Sequence, residues 1–270
     1  MMQQHFQTLL VEPRRGLVQI TLNRPEQRNA MSLQMVDELS QLFAVLASRD
    51  ELRVVVINGA GGHFCAGGDV RDMAGLRQQL VNDPHTASRF NRAFGRMLQQ
   101  AAALPQVVVA VLQGAVLGGG LGLACVADIA LAHADSQFGM PETGLGLIPA
   151  QIAPFVAQRI GQTQARWMAL TGQRIDGRRA HTLGLVQSIH ANETALQGAL
   201  EELLVQLGRA APQATRCTKA LLQLLPSTEL ELVLDQASVW FGEAVQGAEA
   251  EEGAAAFVGR RQPQWAEDWL

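Results

Sequence analysis

A single carboxylate, Glu142, stands in an apolar, glycine-containing stretch of the sequence, residues 138–144 (FGMPETG). Apolar surroundings disfavour the charged form of a carboxylate and raise its pKa toward neutrality, which suits a general acid or base. A solvated glutamate in a turn is the more common fate of this residue type. The stretch alone therefore identifies Glu142 as a candidate for proton transfer and no more.

Two glycine-rich segments could hold an anion, residues 63–69 (HFCAGGD) and residues 113–122 (QGAVLGGGLG). Glycine lets the backbone approach a ligand closely, and the first turn of a helix leaves N–H groups unpaired. The second segment lacks the Lys-Ser/Thr pair of a nucleotide-binding P-loop, and its glycine spacing fits a dinucleotide fingerprint poorly. It suits a smaller developing charge, such as the enolate oxygen of a thioester.

The elements that position these segments follow a repeated pattern of strand, glycine turn and helix. Residues 53–58 and 107–113 are apolar runs typical of buried strands, and each precedes a glycine-rich segment. Ser32 is placed to cap a helix that ends before Asp50. Further strands are predicted at residues 8–11, 17–22, 129–134, 137–140 and 185–189, the first two joined as a hairpin.

The second half of the chain is predicted to be mainly helical from residue 151 onward. Pro212 and Pro226 separate helices, and residues 248–256, rich in alanine and glutamate, favour a helix. The predicted organisation is an α/β core over residues 1–200, which carries the site, and a C-terminal helical region over residues 201–270.

Composition excludes several classes of protein. The 270 residues are 48% hydrophobic, enough to bury a large core, and the net charge of -4 offers no basic field for nucleic acid. The cysteines and histidines lack metal-ligand spacing, so no metal and no disulfide are expected. No stretch approaches the ~20 apolar residues of a membrane helix. We therefore expect a cytoplasmic protein without a membrane or nucleic-acid partner.

In combination these segments resemble the crotonase, or enoyl-CoA hydratase/isomerase, family over most of the chain. Residues 23–31 (NRPEQRNAM) resemble the opening signature of that family, and residues 252–263 resemble its C-terminal signature. Residues 64–69 and 118–120 resemble its two oxyanion loops. The resemblance implies an α/β fold, a crotonase-type spiral of ββα repeats with a C-terminal helical trimerisation region, in a homotrimer or homohexamer.

The resemblance also implies roles for particular residues. The backbone N–H groups of Gly68 and Gly119 would form the oxyanion hole, and Glu142 would be the acid/base carboxylate. The acyl-CoA substrate would lie against Arg28, Ala30, Ala66, Gly67, Asp69 and Gly122. Coenzyme A is part of the substrate, and no separate cofactor is expected. Arg28 would pair with a CoA phosphate; Asp69 would orient the loop or cap the next helix, and is not expected to be catalytic.

The chain departs from the family pattern at Gly122, where hydratases usually carry a second glutamate. Loss of that carboxylate is compatible with a Δ3-Δ2-enoyl-CoA isomerase, which moves one proton between two carbons with a single glutamate. A non-enzymatic alternative, an inert crotonase-fold protein that binds RNA or acts as a scaffold, is disfavoured by the acidic charge balance.

Residues 144–156 (GLGLIPAQIAPFV) favour a hydratase instead. They resemble bacterial hydratases of branched glutaconyl-CoA thioesters, which act in acyclic terpene breakdown on isohexenylglutaconyl-CoA or in leucine breakdown on 3-methylglutaconyl-CoA. The predicted substrate is isohexenylglutaconyl-CoA first and 3-methylglutaconyl-CoA second. From side-chain volume, Gly122 is expected to leave room for a branched acyl group.

Overall fold

Two β-sheets contain all the strands of the computed structural model, which describes residues 6–69, 71–72, 75, 83–267 and 269. The strands are β1 (Leu9–Arg14), β2 (Leu17–Leu22), β3 (Val54–Gly59), β4 (Val107–Leu112), β5 (Ala115–Leu117), β6 (Ile129–His133), β7 (Gln137–Gly139), β8 (Arg174–Asp176) and β9 (Ser188–His190). The larger sheet has the order β1-β2-β3-β4-β6-β9, antiparallel only between β1 and β2, and the smaller one has the order β5-β7-β8.

Helices cover the larger sheet and form most of the second half of the chain. They are α1 (Leu33–Leu46), α2 (Thr86–Ala103), α3 (Gly119–Val126), α4 (Ala153–Ile160), α5 (Gln162–Thr171), α6 (Gly177–Thr182), α7 (Glu193–Arg209), α8 (Pro212–Leu224), α9 (Leu230–Gln246), α10 (Ala248–Gly259) and α11 (Gln264–Glu267). Short 3-10 helices occur at Pro25–Gln27 and Pro141–Leu145. Within the described residues, no helix has the length and apolar character needed to cross a membrane.

Both faces of the larger sheet are buried at its central strands. In β3, Val55 and Ile57 pack into the larger hydrophobic cluster, whereas Val54 and Val56 pack into a second cluster against α7 and Trp269. Successive strand residues point to opposite faces, so a strand covered on both sides needs apolar residues at every position. This explains why β3 and β4 appear in the sequence as continuous apolar runs.

The strands and helices were predicted well where they are long, and less well where they are short. Ser32 caps α1 by accepting a hydrogen bond from the Met35 N–H, as expected. The predicted hairpin of the first two strands is confirmed, but its turn is shorter than the predicted gap between residues 11 and 17, because β1 continues through Pro13 to Arg14. As an edge strand, β1 tolerates a proline that could not donate a hydrogen bond inside a sheet. The last strand begins at Ser188 rather than at residue 185.

Arg53, which immediately precedes β3, connects the sheet to the C-terminal helices through hydrogen bonds. Its guanidinium donates to the carbonyls of Trp265, Leu207, Gly208 and Ala210 at 2.6–3.1 Å. It also lies 4.5 Å from the ring centroid of Trp269. The predicted division at residue 200 stays a prediction, although α7 runs through that position without a break.

Replacing Arg53 with alanine is expected to lower the free energy of unfolding by about 3 kcal/mol, because four carbonyls lose a charged donor. Denaturant unfolding followed by circular dichroism measures the change. Arg49→Ala is the matched control, since Arg49 makes an exposed ion pair with Glu51, and such pairs contribute about 1 kcal/mol or less. Equal losses in the two variants would contradict this role for Arg53.

Candidate active site

The first glycine-rich segment is fixed at its beginning by Asn29, a fully buried residue. The side-chain amide of Asn29 donates to the carbonyls of Ala60 (2.8 Å) and His63 (2.7 Å). Its side-chain oxygen accepts the backbone N–H of Arg24 (2.8 Å). Asn29 has a φ of 55°, in the left-handed region that asparagine adopts more readily than most residues. These three bonds determine the path of the chain into the segment.

Met31 fixes the other end of this segment and sets the direction of its peptide groups. The Met31 N–H donates to the carbonyl of Gly67 (2.7 Å), and the Asp69 N–H donates to the carbonyl of Met31 (3.0 Å). Gly68 lies between these two bonds as the parallel bridge partner of Met31. Peptide groups alternate in direction along an extended chain, so the Gly68 N–H points away from Met31. Gly68 is also exposed, which leaves this N–H open to a ligand.

The second segment pairs directly with the first. The Cys65 N–H donates to the carbonyl of Ala115 (2.9 Å), and the Leu117 N–H donates to the carbonyl of Cys65 (2.9 Å). Gly118 then turns the chain with a φ of 48° and a ψ of -118°, and α3 begins at Gly119. Only glycine adopts such a conformation readily. As the first residue of α3, Gly119 has no acceptor for its N–H inside the helix.

Glu142 is brought to this turn by the pairing of β5 with β7. Leu117 lies opposite Gly139, and the Gly118 N–H donates to the carbonyl of Gly139 (2.9 Å). The 3-10 helix that begins two residues later carries Glu142. A β-carbon built on Gly118 would lie 2.8 Å from Oε1 of Glu142 and 3.4 Å from the α-carbon of Gly67. The three segments meet here because residue 118 has no side chain.

The environment of Glu142 suits proton transfer. Its Oε2 atom is buried and has no hydrogen-bond partner among the described residues. Burial raises the pKa of Glu142, and a hydrogen bond to its own backbone opposes the shift only in part. A carboxylate with a raised pKa and an unpartnered oxygen is a candidate acid or base toward a bound ligand.

Asp69 has a different environment, because its carboxylate is already paired. Arg24 donates to Oδ2 of Asp69 (2.7 Å) and to the carbonyl of Ala30 (2.6 Å). Burial alone would raise the pKa of Asp69, but the hydrogen bonds from Arg24 and from the Arg71 N–H outweigh it, and the net shift is downward. Asp69 is therefore ionised and holds the first segment against Arg24; its predicted non-catalytic role stays a prediction.

The other residues that were predicted to bind substrate take part in backbone hydrogen bonds between the loops. The Ala66 N–H donates to the carbonyl of Arg28 (3.0 Å), and the carbonyl of Gly67 accepts the Met31 N–H. The carbonyl of Ala30 is likewise taken by Arg24. The side chain of Arg28 is exposed, and its pairing with a CoA phosphate stays a prediction.

The space beside Gly122 is not open. A β-carbon built on Gly122 would lie 2.4 Å from Cγ2 of Ile152 and 3.2 Å from Cδ1 of Leu98. Ile152 is itself only 3% exposed. The expectation that the glycine leaves room for an acyl branch is therefore wrong for this conformation, since Ile152 fills that room.

The roles of Asn29 and Met31, which hold the first segment in place, were not predicted from the sequence. The tolerance of asparagine for the left-handed region was a usable signal for Asn29. Nothing local to Met31 or Ile152 distinguishes them from other core residues. Among the described residues, no group of three or more His, Cys, Asp or Glu side chains is placed to bind a metal ion.

Two glycine turns with N–H groups near a carboxylate that has one buried oxygen form an arrangement that can stabilise a small oxyanion and transfer a proton. A sequence model of the enoyl-CoA hydratase/isomerase family matches residues 12–268. Enoyl-CoA hydratase AKT6-1 of Alternaria alternata is 34% identical over 253 residues, which are 93% of this chain and 81% of that protein.

Solved structures agree with this assignment. Pseudomonas aeruginosa AtuE is 55% identical with a TM-score of 0.93, and the match covers 96% of this chain and 100% of that one. An enoyl-CoA hydratase/isomerase from Marinobacter aquaeolei is 49% identical with a TM-score of 0.91, covering 96% and 99%. The chain belongs to the enoyl-CoA hydratase/isomerase, or crotonase, family. The predicted family, α/β crotonase fold and enzymatic character are confirmed.

Replacing Asn29 with alanine is expected to speed amide hydrogen exchange across residues 60–69 and to lower the free energy of unfolding by about 2 kcal/mol. Two carbonyls and one N–H would lose their partner. Asn58→Ala is the control, because the Asn58 side chain accepts a hydrogen bond from Thr21 (2.8 Å) on the neighbouring strand. Mass spectrometry measures the exchange. If the exchange rates are unchanged in Asn29→Ala, Asn29 does not hold this segment in place.

Replacing Glu142 with glutamine is expected to stabilise the protein at neutral pH and to have little effect near pH 4. The raised pKa of Glu142 means that the folded protein holds this proton more tightly than the unfolded chain does. Ionisation of Glu142 therefore costs stability as the pH rises above its ordinary pKa of 4.5. Unfolding at several pH values, with exposed Glu251→Gln as the control, tests this. A difference independent of pH would contradict it.

Proposed function

We propose that the protein adds water to the α,β double bond of a branched glutaconyl-type enoyl-CoA, with isohexenylglutaconyl-CoA preferred and 3-methylglutaconyl-CoA second. The observation that carries this proposal is the buried Oε2 of Glu142, which has no hydrogen-bond partner in the described part of the chain and lies next to the turn at Gly118. Membership of the enoyl-CoA hydratase/isomerase family supports an acyl-CoA thioester as the substrate. The name of the relative AKT6-1, an enoyl-CoA hydratase, supports hydration.

In the proposed reaction the N–H groups of Gly68 and Gly119 bind the thioester oxygen. Glu142 removes a proton from water as the water oxygen bonds to the β-carbon. The electrons of the double bond move onto the thioester, and the two N–H groups stabilise the resulting enolate. The protonated Glu142 then delivers that proton to the α-carbon, and the double bond has gained one water molecule. A single carboxylate serves both steps.

Apolar surface beyond Glu142 supports a long acyl chain. Leu145, Leu147 and Ile148 follow Glu142 directly and are 69%, 45% and 75% exposed. An isohexenyl group would bury part of this surface, whereas the methyl group of 3-methylglutaconyl-CoA is too small to do so. Burial of apolar area contributes about 25 cal/mol per Å², which favours the larger substrate. The likeness of residues 144–156 to hydratases of branched substrates supports the same choice.

The alternative activity is Δ3-Δ2-enoyl-CoA isomerisation. It is favoured by one observation, namely that apolar Ile152 fills the space beside Gly122. Glu142 would then remove a proton from one carbon and return it to another without adding water.

Assembly and location complete the proposal. Large apolar side chains are exposed on the C-terminal helices, among them Leu222, Phe241, Phe257 and Val258. Apolar patches on a protein surface commonly mark subunit interfaces, which supports a homotrimer or homohexamer. The absence of disulfides expected for the three cysteines indicates a reducing compartment, and the cytoplasm is therefore the proposed location.

Glu142→Ala is expected to reduce kcat/KM for the preferred thioester by about 10²–10⁴-fold, the usual contribution of a general acid/base. Ultraviolet absorbance would follow turnover of crotonyl-CoA, 3-methylglutaconyl-CoA, isohexenylglutaconyl-CoA and a 3-enoyl-CoA. Mass spectrometry would identify each product. Glu251→Ala, which removes an exposed carboxylate on α10, should leave the rate unchanged.

A mass gain of one water with a branched glutaconyl thioester would support hydration. Double-bond migration without a mass change would make the protein an isomerase. Unchanged turnover in Glu142→Ala would contradict the role of Glu142 in either reaction.

A further inference from the structure

The two glycine-rich segments of the site are joined by a short parallel ladder. The Cys65 N–H donates to the carbonyl of Ala115 (2.9 Å), and the Leu117 N–H donates to the carbonyl of Cys65 (2.9 Å). Extending this regular pattern two residues back would pair the Ala115 N–H with the carbonyl of His63. In the structure, the side-chain amide of Asn29 donates to that carbonyl instead (2.7 Å).

The side chain of His63 takes the place of its carbonyl in this ladder. Its Nδ1 atom accepts the Ala115 N–H (3.1 Å). The ring can lie here because residue 114 is a glycine: a β-carbon built on Gly114 would be 2.4 Å from Nδ1. The Phe64 N–H donates to the carbonyl of Gln113 (2.8 Å), one residue out of the register that holds further along. The imidazole therefore completes the pairing of the two segments where regular backbone pairing ends.

We infer that His63 is a positioning residue for the oxyanion hole, acting through the hydrogen bond between its Nδ1 atom and the Ala115 N–H. This inference rests on the proposed function, which places the thioester oxygen at the N–H groups of Gly68 and Gly119. Gly68 lies five residues after His63 on the first segment, and Gly119 lies four residues after Ala115 on the second. The hydrogen bond thus sets the spacing of the two segments shortly before each supplies its N–H group.

The spacing of the segments matters because two donors on different segments must converge on one oxygen atom. Misplacement of catalytic groups by about 1 Å can cost about 10²-fold in rate. The oxygen carries more negative charge in the enolate-like transition state than in the bound thioester, so misplaced donors weaken the transition state more than the ground state. Loss of the His63 acceptor is therefore expected to lower kcat and to change KM little.

A pair of substitutions of equal size isolates the hydrogen bond from the shape of the side chain. Asparagine and leucine branch at the same atom, but only His63→Asn keeps an acceptor in the place of Nδ1, whereas His63→Leu has none. His133→Leu is the matched control, because Nδ1 of His133 also accepts a backbone N–H, that of Asp135 (3.1 Å), within an exposed turn. His63 is only half-buried, and circular dichroism would check that each variant is folded.

The kinetic constants are measured with whichever of the four thioesters named above the wild type turns over fastest. His63→Leu should lower kcat by about 10–100-fold, and His63→Asn should recover most of that loss. His133→Leu should match wild type. Amide exchange followed by mass spectrometry should be faster around Ala115 in His63→Leu and close to wild type in His63→Asn.

The outcomes separate this inference from the proposed function. If wild type turns over a thioester but kcat is unchanged in His63→Leu, or falls equally in His63→Leu and His63→Asn, the inference is overturned and the proposed function remains intact. Failure of wild type to turn over any of the four thioesters would overturn both.

Discussion

The site depends on the close approach of three backbone segments at Gly118. The parallel pairing of β5 with β7 places Leu117 opposite Gly139 and so brings Glu142 to the turn that opens α3. Pairing of Cys65 with Val116 brings in the first glycine-rich segment from the other side. A side chain at residue 118 would collide with the Glu142 carboxylate. The carboxylate of Glu142 and the N–H groups of Gly68 and Gly119 therefore come together for three reasons. These are the backbone hydrogen bonds between the segments, the register of β5 with β7, and the lack of a side chain at residue 118.

Several polar side chains around this meeting point are paired. Asn29 satisfies three backbone groups of the approaching chain, and the Asp69 carboxylate is neutralised by Arg24. Such pairing removes the cost of burying polar atoms and makes the loops rigid. The buried Oε2 of Glu142 has no partner among the described residues. A protein that leaves an acceptor unpaired in this way loses some stability and keeps a group available for chemistry.

The sequence predicted those features that repeat over many residues or that glycine marks directly. Continuous apolar runs identified β3 and β4 because both faces of the sheet are covered, and the glycine segments identified both turns of the site. The three-residue strands β5 and β8 gave no periodic signal, although β5 aligns Glu142. The packing of Ile152 against Gly122 joins residues thirty apart and depends on how α3 and α4 meet. Local patterns carry no information about such a contact, which is why Gly122 appeared to leave open space.

The central claim is that one carboxylate on one side of the substrate transfers the proton while backbone N–H groups hold the enolate. Hydration of crotonyl-CoA in D₂O, followed by NMR of the 3-hydroxyacyl product, tests this directly. With Glu142 acting from a single side, the hydroxyl group and one deuterium at the α-carbon should lie on the same face of the former double bond. Addition to opposite faces would require a second acid or base across the substrate and would contradict the account.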